Sequence, residues 1–432
     1  MKNDIIQFLR GKSILILGYG REGHSALEFI QKNLPDAAVA VADINRIEID
    51  GVLTFYGPDY LKHCKDFDVI IKSPGVAIKN DISDEDKEKV TSLTDLFLCF
   101  CQNPIIGITG TKGKSTTSSL VYHILNHCGK KALLTGNIGQ PCFDIIDQLD
   151  YETIVVFELS CHQLEYVRTS PHVSILLNLY EEHFDHYAKP EDYFRAKKNI
   201  YRFQSSEDLL IYGDIFQHAT REEINALDSE TVEISSINID DSDIHTSLLG
   251  EHNKNDIRAA VRACEGFDLT RSECLQAVED FHGLPHRLEY VGEYHNIKFY
   301  NDSIATAQEA VIKAVQALGN VDTLILGGMD RGLDYHPLVD FLRDSSVRNI
   351  LLLPNTSRKF MGLFNEKNYR QCLYEVKDMR AAVEKAFKET TPGKICLLSP
   401  AAASYGFYKN FAERGEDYIN KIKEIAQEKE TN

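Results

Sequence analysis

Short apolar runs of four to six residues recur along the chain, most of them closed by a glycine or a polar turn and followed by helical spacing. Strands covered on both faces look like this, because burial on each side removes the in-out alternation. Ser13 to Leu17, Ala38 to Ala42 and Asp68 to Ile71 form a first series, with a helix from Ser25 to Lys32. Pro104 to Thr109, Lys131 to Leu134, Thr153 to Phe157, Val173 to Leu177 and Asp208 to Tyr212 form a second. Ile297 to Tyr300, Val321 to Leu326, Ile350 to Leu353 and Ile395 to Leu398 form a third, after the Gly/Pro hinge Phe281 to Arg287. Strand-helix alternation predicts an α/β chain with parallel sheets. We expect three domains in series, at 1–102, 103–283 and 284–432. The polar stretch from Asp214 to Asp243 reads as irregular and peripheral.

Charge and cysteine usage narrow the function classes. Asp and Glu outnumber Lys and Arg by 65 to 47, a formal net charge of -18. That argues against nucleic-acid or anionic-membrane binding, and anionic ligands would need local capture by turns, helix N-termini and placed cations. No apolar run approaches the ~18 residues of a membrane span. The first ten residues lack the basic start and apolar core of a signal peptide, so a cytoplasmic location is expected; separately, a monomer is expected. The ten cysteines are scattered, and Cys99 and Cys101 lie in a run that reads as helix; reduced core residues are expected.

The second series carries the most informative turn. Gly110-Thr111-Lys112-Gly113-Lys114-Ser115-Thr116 follows a buried strand and opens a helix to about His127. Backbone N–H groups of such a turn face inward, the helix dipole favours anions, Lys114 adds charge, and the Ser115 hydroxyl is suited to Mg2+. The glycine spacing departs from strict Walker A. A glycine turn with an exposed lysine would look similar alone, but the strand before it and the helix after it favour phosphate. Glu158 ends the next apolar strand and is placed for Mg2+. Beyond Val173 to Leu177 come Asn178 and Glu181 to His186; His183 suits a second Mg2+, whereas His186 reads as a solvated loop residue. Spacing marks neither Lys197 nor Lys198, and both read as solvated charges.

The N-terminal turn Gly18-Tyr19-Gly20-Arg21-Glu22-Gly23 fits G-x-G-x-x-G, with Asp43 twenty residues beyond. Alone it matches a dinucleotide site and hence an NAD-dependent dehydrogenase. The same geometry holds the diphosphate of any nucleotide, with Ser73-Pro74-Gly75 as a second wall. A separate ATP-type turn favours a nucleotide-linked substrate.

Taken together, these motifs resemble the Mur ligases of peptidoglycan synthesis, and within them the members that add glutamate to UDP-N-acetylmuramoyl-L-alanine. The resemblance covers nearly the whole chain and adds Gly136-Asn137-Ile138-Gly139, Glu158-Leu159-Ser160, Tyr193-x-x-Ala196-Lys197, Gly250-x-His252-Asn253, Leu284-Pro285-His286-Arg287, Asn301-Asp302-Ser303, Leu398 to Ala401 and Lys409 to Gly415. It implies a Rossmann-like N-terminal domain for the UDP substrate, a P-loop central domain for ATP, and a Rossmann-like C-terminal domain. By the same resemblance Lys114 holds ATP phosphates, Ser115 and Glu158 serve one Mg2+, His183 a second, and Lys197 is the family's carbamylated lysine. Asn253, Asp256, Arg287 and Asp302 contact ATP. Asn137, Ser160 and the N-terminal turn hold the UDP substrate. Thr306, Arg331, Ser404 and Phe411 hold glutamate.

Departures cluster near the amino-acid residues. Asp256 stands where the family usually has Asn, able to accept from the adenine amino group but not to donate. Ile304-Ala305-Thr306-Ala307 replaces Lys-Ala-Thr-Asn, and Tyr405-Gly406-Phe407 replaces an acidic stretch. D- and L-glutamate both stay open on this basis. A folate-type ligase lacks the UDP-binding turn. A dehydrogenase leaves Lys114, Glu158 and Lys197 without a role, and a non-catalytic nucleotide binder leaves the whole set unexplained.

Overall fold

The computed structural model describes the chain apart from residues 80, 182–185, 188, 249, 366–369 and 432. The first sheet contains β1 (Ile14–Leu17), β2 (Val39–Asp43), β3 (Leu53–Tyr56), β4 (Val69–Lys72) and β5 (Val90–Thr91), all parallel, in the order β3-β2-β1-β4-β5. Every residue of β1 and β4 is buried. The order reverses direction at β1, so the crevice beyond the carboxyl ends of β1 and β4 is the natural ligand position of this topology.

The second sheet contains β6 (Ile105–Thr109), β7 (Ala132–Gly136), β8 (Ile154–Glu158), β9 (Val173–Asn178), β10 (Leu209–Asp214) and β11 (Glu230–Glu233), also parallel, in the order β11-β10-β9-β6-β8-β7. Here β6 sits between β8 and β9, which gathers the three carboxyl ends. The third sheet has β12 (Glu289–Tyr294) antiparallel to β13 (Ile297–Asn301). Parallel strands β17 (Ile395–Leu398), β14 (Val321–Gly328), β15 (Asn349–Asn355) and β16 (Cys372–Glu375) follow β13 in that order.

The chain divides into two compact units. One comprises Met1–Thr246 with Glu251–Phe281, the other Ser247–Gly250 with His282–Asn432. The first two sheets therefore share a unit. A single apolar cluster runs from Ile5, Ile14 and Phe97 to Phe157, Leu176 and Tyr193. Phe97 meets Phe157 edge-on with ring centroids 5.6 Å apart, and Phe29 meets Phe143 at 4.7 Å.

The stretch 214–243 is more ordered than its polarity suggested. It contains a helix at Arg221–Asn225 and the edge strand β11, and it buries Ile224, Ile234, Ile237 and Ile239. All ten cysteines are free thiols, as expected; seven are buried, while Cys99 and Cys372 are exposed.

Candidate active site

The turn after β6 is built around two glycines. Gly113 has φ +86°, and a Cβ there would lie 2.8 Å from an Asp256 carboxylate oxygen and 2.9 Å from Leu177 Cδ1. Only glycine fits both the left-handed backbone and this close approach. The helix Lys114–His127 starts here with no side-chain cap, so its first N–H groups are left for a ligand. Asn178, at the end of β9, straps the turn. Its Oδ1 accepts from Lys112 N–H at 2.8 Å, its Nδ2 donates to Lys112 O at 3.1 Å, and its own carbonyl accepts from Thr111 N–H at 3.1 Å. Thr111 Oγ1 adds contacts to Tyr180 N, Tyr180 O and Tyr193 OH. This strapping role of Asn178 was not read from the sequence.

Two ammonium groups converge on one carbonyl of the turn. Lys114 Nζ donates to Gly110 O at 2.9 Å and to Thr111 O at 3.0 Å, and Lys197 Nζ donates to Gly110 O at 2.8 Å. Lys197 is 2% exposed, on the helix Pro190–Lys198, with its ammonium 5.2 Å from the Tyr193 ring centroid. It is not the solvated charge that spacing suggested. Lys198 instead pairs with Glu223 at 2.7 Å. The missed signal is periodicity: Tyr193, Ala196 and Lys197 share one face of the helix, and all three are buried, as is Ile200 just beyond its end.

Glu158 ends β8 beside this turn and is fully buried. Asn137 Nδ2 donates to its Oε1 at 2.6 Å, while Oε2 has no hydrogen-bond partner among the described residues. A buried carboxylate oxygen without a donor is costly, and a cation supplied with the ligand would satisfy it. The orphan carboxylate oxygen of Glu158 therefore fits Mg2+, with the Ser115 hydroxyl at the start of the helix after the phosphate turn as the second expected ligand. His183 lies outside the described residues. His186 is not solvated either: its ring packs, tilted, on His162 with centroids 4.0 Å apart, and its side chain is 9% exposed beside Glu165.

The N-terminal turn is equally closed in. Gly18 has φ +90°, and a Cβ on Gly23 would lie 2.2 Å from Gly18 O. Ser73 Oγ donates to Gly18 O at 2.7 Å, which joins the two walls Gly18 to Gly23 and Ser73-Pro74-Gly75. Asp43 accepts from Tyr19 N–H at 2.8 Å through one oxygen and from Asn45 N–H through the other. Lys72, buried at the end of β4, pairs with Glu165 at 3.0 Å. Ser160 caps the helix Cys161–Leu164 in a capping box with Gln163, whose Nε2 donates to Glu22 Oε1 at 2.7 Å.

Asp256 and Asn253 lie on the helix Glu251–Glu265, both buried. The Asp256 carboxyl faces Gly113 of the phosphate turn, and burial pushes its pKa up to about 8. In the second unit, Asp302 accepts from Ser399 Oγ at 2.7 Å, and burial raises it to about 6. Arg287 and Arg331 are exposed, Thr306 is half-buried, Ser404 is buried and Phe411 is 37% exposed. Arg414, quoted only as part of a motif, is a structural centre. It is 1% exposed and donates to Ser303 Oγ, Ser303 O and Ala402 O, fixing the segments that carry Asp302 and Ser404.

The central sequence, residues 108–264, matches the model of the Mur ligase middle domain. Over nearly its full length the chain is 31% identical to a UDP-N-acetylmuramoylalanine–D-glutamate ligase of Listeria innocua, covering 98% of this chain and 99% of the relative. The chain belongs to the Mur ligase family. A relative of the same name from Clostridium kluyveri is 30% identical, with 99% of each chain covered. Among solved structures, MurF of Acinetobacter baumannii superposes with a TM-score of 0.59 at 15% identity, covering 92% of this chain and 88% of that one, a likeness of fold. As a Mur ligase the chain is an ATP-dependent amide ligase, and the dehydrogenase alternative falls away. Among the described residues, no helix is long and apolar enough to cross a membrane.

Proposed function

We propose that the chain joins D-glutamate to the alanine carboxylate of UDP-N-acetylmuramoyl-L-alanine at the expense of ATP. It would do so as a monomer in the cytoplasm, in peptidoglycan precursor synthesis. The observation that carries this is the near-complete match to relatives that bear this activity's name, on a chain whose phosphate turn gathers Lys114, Lys197 and Glu158. ATP phosphorylates the substrate carboxylate, the glutamate amine attacks the acyl phosphate, and phosphate leaves. Mg2+, when bound, neutralises charge on the transferring phosphoryl group. The chain's residues supply the rest. N–H groups of Gly110 to Thr116 and the Lys114 ammonium orient the phosphates. Ser115 and Glu158 hold one Mg2+, with His183 and a carbamylated Lys197 assigned to a second. Gly18 to Arg21, Asp43, Ser73 to Gly75, Asn137 and Ser160 take the UDP substrate. Asn253, Asp256, Arg287 and Asp302 are assigned to ATP; Thr306, Arg331, Ser404 and Phe411 to glutamate.

The test is phosphate release from ATP with Mg2+ and UDP-N-acetylmuramoyl-L-alanine, with either glutamate enantiomer in parallel. Release with D-glutamate alone is expected. Release with L-glutamate alone would reverse the stereochemical assignment, and release with neither would overturn the substrate.

A further inference from the structure

Arg21 and Glu22 of the N-terminal turn do not simply face outward. Arg21 donates across to the central sheet's Gly136–Gly139 loop: to Gly136 O at 2.9 Å, Asn137 O at 3.2 Å and Gly139 O at 3.2 Å. Its neighbour Glu22 is buried and reaches Ser160 through Gln163. The loop that Arg21 grips is pressed on the backbone of Glu158, the residue proposed for Mg2+. Gly136 pairs with Glu158 in the sheet register, and a Cβ on Gly136 would lie 2.2 Å from Glu158 O. Asn137 N–H donates to Glu158 O at 2.9 Å, and Asn137 Nδ2 donates to Glu158 Oε1 at 2.6 Å. A continuous hydrogen-bonded path thus runs from the guanidinium of the substrate turn, through Asn137, to the buried carboxylate. The far oxygen of that carboxylate has no partner among the described residues.

We propose that Arg21 is a positioning residue for the metal site: it holds Asn137, and through it fixes the orientation of Glu158 from the substrate turn. Two guanidinium nitrogens on three carbonyls of one loop set it more firmly than a single contact would, because the guanidinium fork is rigid. Glu158 is itself boxed in, so a small shift of Asn137 turns the carboxylate rather than being absorbed elsewhere. Arg21 also belongs to the turn assigned to the uridine diphosphate substrate. Occupancy of that turn is therefore linked to Mg2+ geometry at the ATP site, and by thermodynamic reciprocity Mg2+·nucleotide affects the turn. The inference rests on the assignment of Glu158 to Mg2+.

The experiment is calorimetric binding of ADP to the full chain, with Mg2+ and with EDTA, which does not depend on turnover. Arg21→Ala is expected to weaken Mg2+·ADP about tenfold and to leave ADP binding in EDTA unchanged. Arg21→Lys, with fewer donors, should fall between. Asn137→Ala should show a similar loss, and the Arg21→Ala/Asn137→Ala double variant no further loss, since both act on one path. Circular dichroism and melting temperature control for folding. Wild-type Mg2+·ADP affinity in Arg21→Ala, or additive losses in the double variant, would overturn the proposal. Failure of the ligase assignment would be seen separately, as absent phosphate release by the wild-type chain.

Discussion

At the residue scale, the pair Lys197 and Lys198 shows what a sequence conceals. Adjacent lysines have the same chemistry, and only the helix face separates a buried ammonium on Gly110 O from a surface partner of Glu223. We expect Lys197→Ala to lower the rate of phosphate release by at least about 100-fold, since it removes the buried side chain that lies on the phosphate turn and is assigned, carbamylated, to the second Mg2+. Lys198→Ala, which breaks a partly exposed pair, should stay within about threefold of wild type; equal losses in the two variants would refute the distinction. Asp256 supports a pH prediction. Its carboxyl titrates near 8 in the folded chain against 3.8 unperturbed, so the folded state holds the proton more tightly than the unfolded state. The stability contributed by that proton is present below pH 4 and is lost as pH rises toward 8, at most ~6 kcal/mol by linkage. Asp256→Asn carries no such loss. Its melting temperature should exceed that of the wild type by a margin that widens from pH 5 to pH 8 and then levels; a constant margin would contradict the buried carboxyl. The family resemblance assigns Asp256 to adenine, whereas its carboxyl packs on Gly113, a contact between distant segments that no local pattern encodes.

At the scale of elements, the strands legible in the sequence are those covered on both sides. Runs such as Ile14–Leu17, Ile105–Thr109 and Val321–Gly328 are buried at every position and read directly as apolar segments. The strands that escaped notice are β3, β5, β11, β12 and β16, all at sheet edges. Leu53 to Tyr56 and Glu230 to Glu233 are partly exposed along their length, and polar edge positions blur the pattern. β5 is only two residues long and is held by side chains rather than by a hydrophobic run. Asp95, nearly inaccessible at 4% side-chain exposure, accepts from Thr91 Oγ1, Arg168 N and Arg168 Nη1, each at 2.8 Å, while Arg168 Nη2 donates to Val90 O. One carboxylate thus ties β5 and the helix Leu93–Phe100 to the segment beyond β8. Asp95→Ala leaves several donors without an acceptor and should cost about 2–4 kcal/mol, lowering the melting temperature by roughly 5–10 °C. Lys131→Met, which removes a half-exposed partner of Asp150, should change it by less than about 2 °C. Differential scanning calorimetry of the two variants makes the comparison, and similar shifts would deny Asp95 its tying role.

At the scale of the whole molecule, the chain opposes its own ligands. Its formal charge is -18, and the proposed substrates, ATP and a UDP-sugar acid, are anions. Capture therefore depends on short-range devices gathered at one sheet edge: the uncapped N-terminus of the helix Lys114–His127, the Lys114 ammonium and the Mg2+ that Glu158 is assigned to hold. Long-range and short-range terms separate by their response to salt. The screening length falls from ~30 Å at 0.01 M to ~8 Å at 0.15 M ionic strength. Over that range repulsion by the distant surface acids fades, while buried contacts at hydrogen-bond distance are little affected. The expected result is that kcat/KM for the uridine substrate, at fixed free Mg2+, rises about two- to threefold between 10 and 150 mM monovalent salt. A net-attractive approach would give the opposite sign, a fall of kcat/KM over the same interval. That fall would mean that the local cations dominate the field well beyond the turn they line, and that the acidic surface does not set the encounter.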